Sequence, residues 1–445
     1  MIPRGTRDDY LRILRDELVP ALGCTDPIAI AFASATAREL LGTMPDRIEM
    51  RCSGNIIKNA RAVTVPNTGG MKGIETAAIA GVLAAEALAA GALAAEALAP
   101  AGNQRVARLG LRILETMPSD AIDRLRVLRA SGMCSTLLAK GTDNLHIHVK
   151  LFAGESVAEV VVSTTYTGIV RMVKDGAIVF EKAETGSRGA DESGDRRLLN
   201  VRDIIEFSET VDLDEVRPVI SNQIERNTAI SDEGLSRNYG MDVGRTLLKI
   251  YGNDVRTRAK ARAAAGSDAR MSGCSMPVVI NSGSGNQGLT ASLPVVEYAK
   301  ELKIGEDRMH RALVLSNLIA IHQKTRIGSL SAYCGAVCAA CGSGAAIAWM
   351  DGGSYEEICG TITNTIANIG GMVCDGAKPS CAAKIASAVD AAIMAWHLSA
   401  EGKVFGPGEG LVKDDIESTI ESVGRMGSIG MKGTDAEILD IMIGA

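Results

Sequence analysis

Small residues dominate the long apolar stretches of this chain, and that limits how it can fold. Ala77–Ala99 and the run from Met309 to Leu398 are rich in Ala and Gly, while aromatic residues make up only 3% of the sequence. A core of helices whose backbones approach closely is expected, since few large side chains are available to hold them apart. Ala77–Ala99 contains Glu86 and Glu96 and lacks the larger side chains that drive insertion into a bilayer. It reads as a helix or helix pair, and no membrane partner is expected. Within it, Val82–Pro100 repeats itself once at a ten-residue spacing, too short and too few for a solenoid.

Asp8–Leu18 has apolar residues at helical spacing. Pro20 and Gly23 then interrupt the chain before Cys24-Thr25-Asp26-Pro27. Thr25 or Asp26 can cap a helix there and Pro27 fits its first turn, which predicts a helix over Ile28–Leu41. Arg47–Cys52 alternates as a strand does. From Leu145 the period changes to two, and strands are expected at Leu145–Leu151, Val157–Thr165, Ile169–Lys174 and Ala177–Glu181. Lys174-Asp175-Gly176 forms a hairpin turn between the last two. Glu184–Arg196, charged and rich in Gly and Ser, reads as a flexible connection. Helical spacing resumes over Asn200–Ala263, with Ser231–Ser236 expected as a polar break. The fold expected is α+β, a mostly helical core with a small antiparallel β-sheet insertion. Its parts would be an N-terminal helical part (1–140), a sheet region (141–200) and a C-terminal helical domain (201–445).

The balance of charges narrows the function. With a net charge of −6 and no basic patch, nucleic acid is not expected as a partner. Met1–Asp16 is charged throughout and has no apolar core ahead of a cleavage site, so a cytoplasmic location is expected. In a reducing compartment, ten cysteines bind metal or react more often than they cross-link.

Four places attract attention as chemistry. Cys24 stands at a predicted helix start, where the positive end of the helix dipole favours thiolate; a buried small residue in a turn is the alternative. Asn67-Thr68-Gly69-Gly70 presents backbone N–H groups ahead of a helix, which suits a carboxylate or phosphate, although a plain turn fits equally well. Asn281–Gly288, with Ser282, Gly283, Ser284 and Gly285, must be a loop, ending at a helix that starts near Leu289. Its Gly-x-Gly-x-x-Gly match lacks a strand–helix–strand frame, so a dinucleotide site is rejected. His146 and His148 share a strand face with no third ligand nearby and read as a solvated surface.

The fourth place is Gly370–Lys384, where Cys374 and Cys381 flank a tight loop holding Gly376 and Pro379. Two such thiols can bind a soft metal centre, form a disulfide, or be buried. Cys334, Cys338 and Cys341 lie nearby in sequence at a C-x3-C-x2-C spacing. Seven residues of helix rise about 10.5 Å, too far for three thiolates on one small cluster. One cysteine of that region together with Cys374 and Cys381 is more economical. Three thiolates without a fourth would leave one iron of a cluster open, whereas a structural zinc normally takes four ligands.

The motifs Leu18–Pro27, Asn55–Asn59, Val63–Gly70, Ser267–Met271, Asn281–Gly288, Ser331–Cys334 and Gly371–Lys384 run nearly end to end. In these the chain resembles the L-cysteine desulfidase family, single-chain relatives of iron–sulfur L-serine dehydratases. The resemblance implies a lyase converting L-cysteine to pyruvate, ammonia and hydrogen sulfide. It also implies a [4Fe–4S] cluster held by Cys334, Cys374 and Cys381, with Cys24 as catalytic base. The substrate is then a small amino acid, its carboxylate held by Asn67–Gly70 or by Ser282–Gly285, in a possible homo-oligomer. L-Serine dehydration by the same mechanism, or a cluster-bearing sensor without turnover, are the competing functions. Two features depart from the family pattern: Tyr166-Thr167-Gly168 stands where relatives often carry His-Thr-Asn, and Cys338 and Cys341 are additional thiols.

Overall fold

A computed structural model of the chain describes residues 2–95, 105–182 and 194–444. It opens with α1 (Arg4–Glu17), β1 (Pro20–Leu22), α2 (Thr25–Leu41), β2 (Arg47–Cys52), α3 (Gly54–Ala60) and α4 (Ile74–Ala95). Next come α5 (Arg105–Leu109), α6 (Ala121–Ala130), β3 (Cys134–Leu138), β4 (His146–Ala153), β5 (Ser156–Ser163), β6 (Ile169–Lys174) and β7 (Ala177–Glu181). Helices α7 (Val201–Thr210), α8 (Leu213–Ser236), α9 (Val243–Tyr251) and α10 (Val255–Met271) follow, then the short strand β8 (Pro277–Val279). The chain ends in α11 (Gly285–Glu301), α12 (Glu306–Ile327), α13 (Gly335–Met350), α14 (Tyr355–Ile369), α15 (Ser380–Ala400), α16 (Ile416–Arg425) and α17 (Lys432–Ile443).

The architecture is α+β, as expected. The sheet is six-stranded, in the order β3-β2-β4-β5-β6-β7, and its last four strands are the antiparallel meander read from the period-two stretch. Asp175 and Gly176, both at positive φ, make the two-residue turn between β6 and β7. Two strands come from before residue 141. β2 pairs antiparallel with β4, and β3 runs parallel to β2, so the sheet is mixed rather than purely antiparallel. Ile48 and Met50 of β2, Ile147 and Val149 of β4, and Val160 of β5 are fully buried on one face, and α2 packs against β4 and β5.

The helical half is assembled from α8 and α10–α15. Alanine fills much of its interior, and contacts fall close to the backbone. Gly342 of α13 faces α12 so closely that a Cβ there would lie 2.2 Å from the Ser316 carbonyl oxygen. Ser231–Ser236 is not a break. It is the C-terminal end of α8, and the buried Ser231 hydroxyl donates to the Arg262 carbonyl of α10 at 2.9 Å. The polar residues there serve a helix–helix contact rather than a loop. By length and composition, Ile74–Gly91 and Ser380–Ala400 could cross a membrane; more than half of each is buried. Part of the tandem echo, from Glu96 onward, and most of the Glu184–Arg196 connection lie outside the described residues.

One small ladder decides where the site forms. β1 pairs antiparallel with β8, Pro20 opposite Val279 and Leu22 opposite Pro277, and the Ile280 N–H adds a bond to the Val19 carbonyl. The segment leading to Cys24 is thereby fastened beside the one leading to α11.

Candidate active site

Cys24 is itself the N-cap of α2, with extended backbone, and Asp26 falls in the first turn. The thiol is 3% exposed and lies 3.7 Å from Asp26 Oδ2, while Asn59 Nδ2 donates to Asp26 Oδ1 at 3.2 Å. Burial pushes Cys24 up to about 12; the Asp26 carboxylate adds to the rise and Arg270 opposes it. The expectation of a resting thiolate is therefore corrected. A helix terminus stabilises a charge by at most ~2 kcal/mol, and complete removal from water outweighs it. Burial likewise raises Asp26 to about 6, against hydrogen bonds from Asn59 and Cys24.

Cys334 and Cys374 are set side by side by backbone pairing. The Cys334 N–H donates to the Met372 carbonyl at 3.0 Å and the Cys374 N–H to the Ala332 carbonyl at 2.6 Å, around an antiparallel bridge between Tyr333 and Val373. Cys334 is the N-cap of α13, and Cys381 lies in the first turn of α15, with its N–H on the Lys378 carbonyl at 3.0 Å. Asp375 draws the intervening loop together by pairing with Lys378 at 2.5 Å and with Lys384. Burial, then the neighbouring Cys374, pushes Cys334 up to about 12, and burial also raises Cys381. Cys338 and Cys341 point elsewhere. They are fully buried inside α13 and do not line the cavity, so the apparent triplet divides into one site thiol and two packing residues.

A cavity of about 110 Å³ has Cys24 and the thiols of Cys334, Cys374 and Cys381 in its walls. Cys24 and Cys381 also pack into one apolar cluster with Val63 and Met271. Among the described residues, no three His, Cys, Asp or Glu side chains converge tightly enough to hold a single metal ion. Ser282 and Ser284 line the cavity as well. Helix α11 starts at Gly285, four residues ahead of the expected position, with Ser284 as N-cap. Gly285 through Gly288 are helical, and the α11 N-terminus borders the cavity.

Asn67–Gly70 is not brought to this cavity. Asn67 donates to the Leu114 carbonyl at 2.8 Å and accepts from the Ser275 hydroxyl at 2.5 Å; Thr68 bonds the Val65 carbonyl at 2.7 Å. Those polar groups close the turn on itself. The adjacent Pro66 packs against Gly23, which sits at positive φ, so this segment supports the backbone that carries Cys24.

Several wall residues escaped the reading of motifs. Arg270, Gln287, Lys324 and Tyr333 line the cavity, each 5% exposed or less. Among the described residues, Arg270 Nε, Gln287 Oε1 and the Tyr333 hydroxyl have no hydrogen-bond partner. Gln287 and Tyr333 stood within the Asn281–Gly288 and Ser331–Cys334 motifs without a role, and Lys324 lies inside α12, where spacing alone marks an ordinary helix residue. Arg270 stood within the Ser267–Met271 motif without a role. Tyr166 lines both this cavity and an outer one of about 420 Å³, which also share Ser282, Lys324 and Ser329. Its ring packs over Gly283, and it lies near Asp26 and Cys24.

The α+β fold thus encloses a thiol-lined cavity with a helix-start cysteine in its wall. The model of the serine dehydratase alpha chain matches residues 75–440, and the chain belongs to that family, a family of lyases. It is 51% identical to a UPF0597 protein of Lachnoclostridium phytofermentans over 97% of this chain and 98% of that one. A UPF0597 protein of Desulfitobacterium hafniense is 48% identical over 98% and 96% of the two chains. One from Treponema denticola is 46% identical over 99% of each.

Proposed function

We propose that this protein is an L-cysteine-degrading lyase that forms pyruvate, ammonia and hydrogen sulfide by β-elimination, with a [4Fe–4S] cluster on Cys334, Cys374 and Cys381. The observation that carries the reading is the single cavity with Cys24 in its wall together with those three thiols. The donor set fits such a group. Three soft ligands line one space without meeting at a point, which suits a cluster better than a lone ion. When bound, the cluster would supply Lewis-acid polarisation of the leaving group.

The chain's own residues do the rest. Cys24 removes the α-proton of the substrate, and Asp26, 3.7 Å away, is placed to take the thiol proton that must leave first. Asn59 holds Asp26 in position through its other oxygen. The Ser284 N–H is already bonded to the Asn281 carbonyl, so it is the Gly285 end of the Ser282–Gly285 segment, the first residue of α11, that offers backbone N–H to the substrate carboxylate. Loss of hydrogen sulfide leaves aminoacrylate, and one water then converts it to pyruvate and ammonia.

Cys24→Ala is expected to keep about four irons per chain and lose more than 99% of turnover; unchanged turnover would remove Cys24 as base. Cys374→Ser is expected to lose the cluster after anaerobic reconstitution, and full retention of iron and sulfide would overturn the ligand set. A pyridoxal-type absorbance in active protein would overturn the cofactor. L-Serine is the second reading, favoured by the name of the matching family. Measuring sulfide from L-cysteine against pyruvate from each amino acid separates the two.

A further inference from the structure

Arg270 is 2% exposed, the largest of the fully buried side chains, and it lines the cavity. Its Nη1 donates to Asn286 Oδ1 at 3.1 Å, Nε has no partner, and among the described residues no carboxylate forms an ion pair with it. A buried guanidinium costs several kcal/mol unless its charge and donors are met. Its position deepens that debt of interaction. The guanidinium rests on Gly285, the first residue of α11, where a Cβ would come within 2.3 Å of Nε. Two positive ends therefore adjoin, a fixed cation and the N-terminus of a 17-residue helix. Asp26 lies close enough to feel the charge, but it is taken up by Asn59 and Cys24.

We infer that Arg270 and the α11 N-terminus together form the anion site for the α-carboxylate of the substrate, held beside Cys24. The inference rests on the lyase reading for the identity of the substrate. It assigns the charged half of carboxylate recognition to a side chain rather than to backbone loops alone. Of the other cations lining the cavity, Lys324 lies among Cys338, Cys374 and Cys334, and Lys384 pairs with Asp375, which leaves Arg270 as the cation next to the proton acceptor. Gly285 is needed there because any side chain would displace the guanidinium.

The test compares two ligands on anaerobically cluster-loaded protein by calorimetry: 3-mercaptopropionate, and ethanethiol, which has the thiol without the carboxylate. Charge-assisted hydrogen bonds predict a preference for the carboxylate on the order of 50-fold in the wild-type protein. Arg270→Gln is expected to reduce the preference to about 3-fold or less, and Arg270→Lys to leave an intermediate value. Asn286→Ala, which keeps the guanidinium but removes the side-chain oxygen that holds its Nη1 in place, keeps the question open to refutation if Arg270→Gln does not fold; loss of that positioning is expected to lower the preference several-fold. No preference in the wild-type protein, or an unchanged preference in these variants, overturns the proposal. Sulfide release from L-cysteine is measured on the same samples. Turnover with an unchanged preference would remove Arg270 and leave the lyase reading. An Arg270-dependent preference without turnover would leave the anion site and remove that reading.

Discussion

At Asp26 the fold keeps a carboxylate almost wholly buried in the cavity wall, 3.7 Å from a thiol it also keeps protonated. A carboxyl group raised by burial from 3.8 to about 6 makes stability depend on pH in a definite direction. Its contribution is present in full below 3.8, declines as pH rises, and is gone above about 6, where the folded carboxylate is ionised. The rise corresponds to about 3 kcal/mol at pH 8. Asp26→Asn, which can still meet Asn59, is therefore expected to melt higher than wild type at pH 8 and to lose the advantage near pH 4. Turnover of the same variant should fall at least tenfold, because Cys24 loses its proton acceptor. Thermal melts across that pH range and steady-state rates at pH 8 check both halves.

At the scale of elements, small residues let helices meet backbone to backbone, and the thiols depend on that closeness. Cys334 stands at the N-cap of α13, whose Gly342 abuts Ser316 of α12. Gly342→Ala places a methyl 2.2 Å from a carbonyl oxygen, and neither helix backbone can yield cheaply. The expected cost is about 2 kcal/mol, read as a lower denaturant midpoint. Iron retention should fall with it, since α13 carries one of the three thiols. The composition announced such packing, because a core so rich in Ala and Gly has no other way to close. It did not announce the partners. Ser231–Ser236 looked like a break because polar residues usually mark loops; in α8 the Ser231 hydroxyl is spent on α10. The start of α11 was placed four residues late, because Gly and Ser signal a turn before they signal a helix cap.

Over the whole molecule, the C-terminal helix is fastened to the site from behind. Lys58 of α3 is 1% exposed and pairs with Asp435 of α17, and the Lys58 carbonyl lies against Gly376 of the cysteine loop. Asp435→Asn would strand a buried ammonium. The expected loss is about 3 kcal/mol, with α17 becoming the first segment cut in limited proteolysis. The loop holding Cys374 and Cys381 should then release iron faster than in wild type. Unchanged proteolysis and iron release would show that α17 is not coupled to the loop.

Local order was written in the sequence itself: the helical spacing, the period-two strands with their Asp175-Gly176 turn, and the cysteine loop with its Gly and Pro. These depend on neighbours a few residues away, which a linear reading captures. What the tertiary structure alone decided is which distant groups meet. A three-residue ladder between β1 and β8 sets Cys24 beside the start of α11, and an antiparallel bridge sets Cys334 beside Cys374. Burial then reversed the ionisation expected of Cys24 and left Arg270 without a counter-ion among the described residues. Neither effect has a sequence signature, because desolvation is a property of everything packed around a group rather than of its place in the chain.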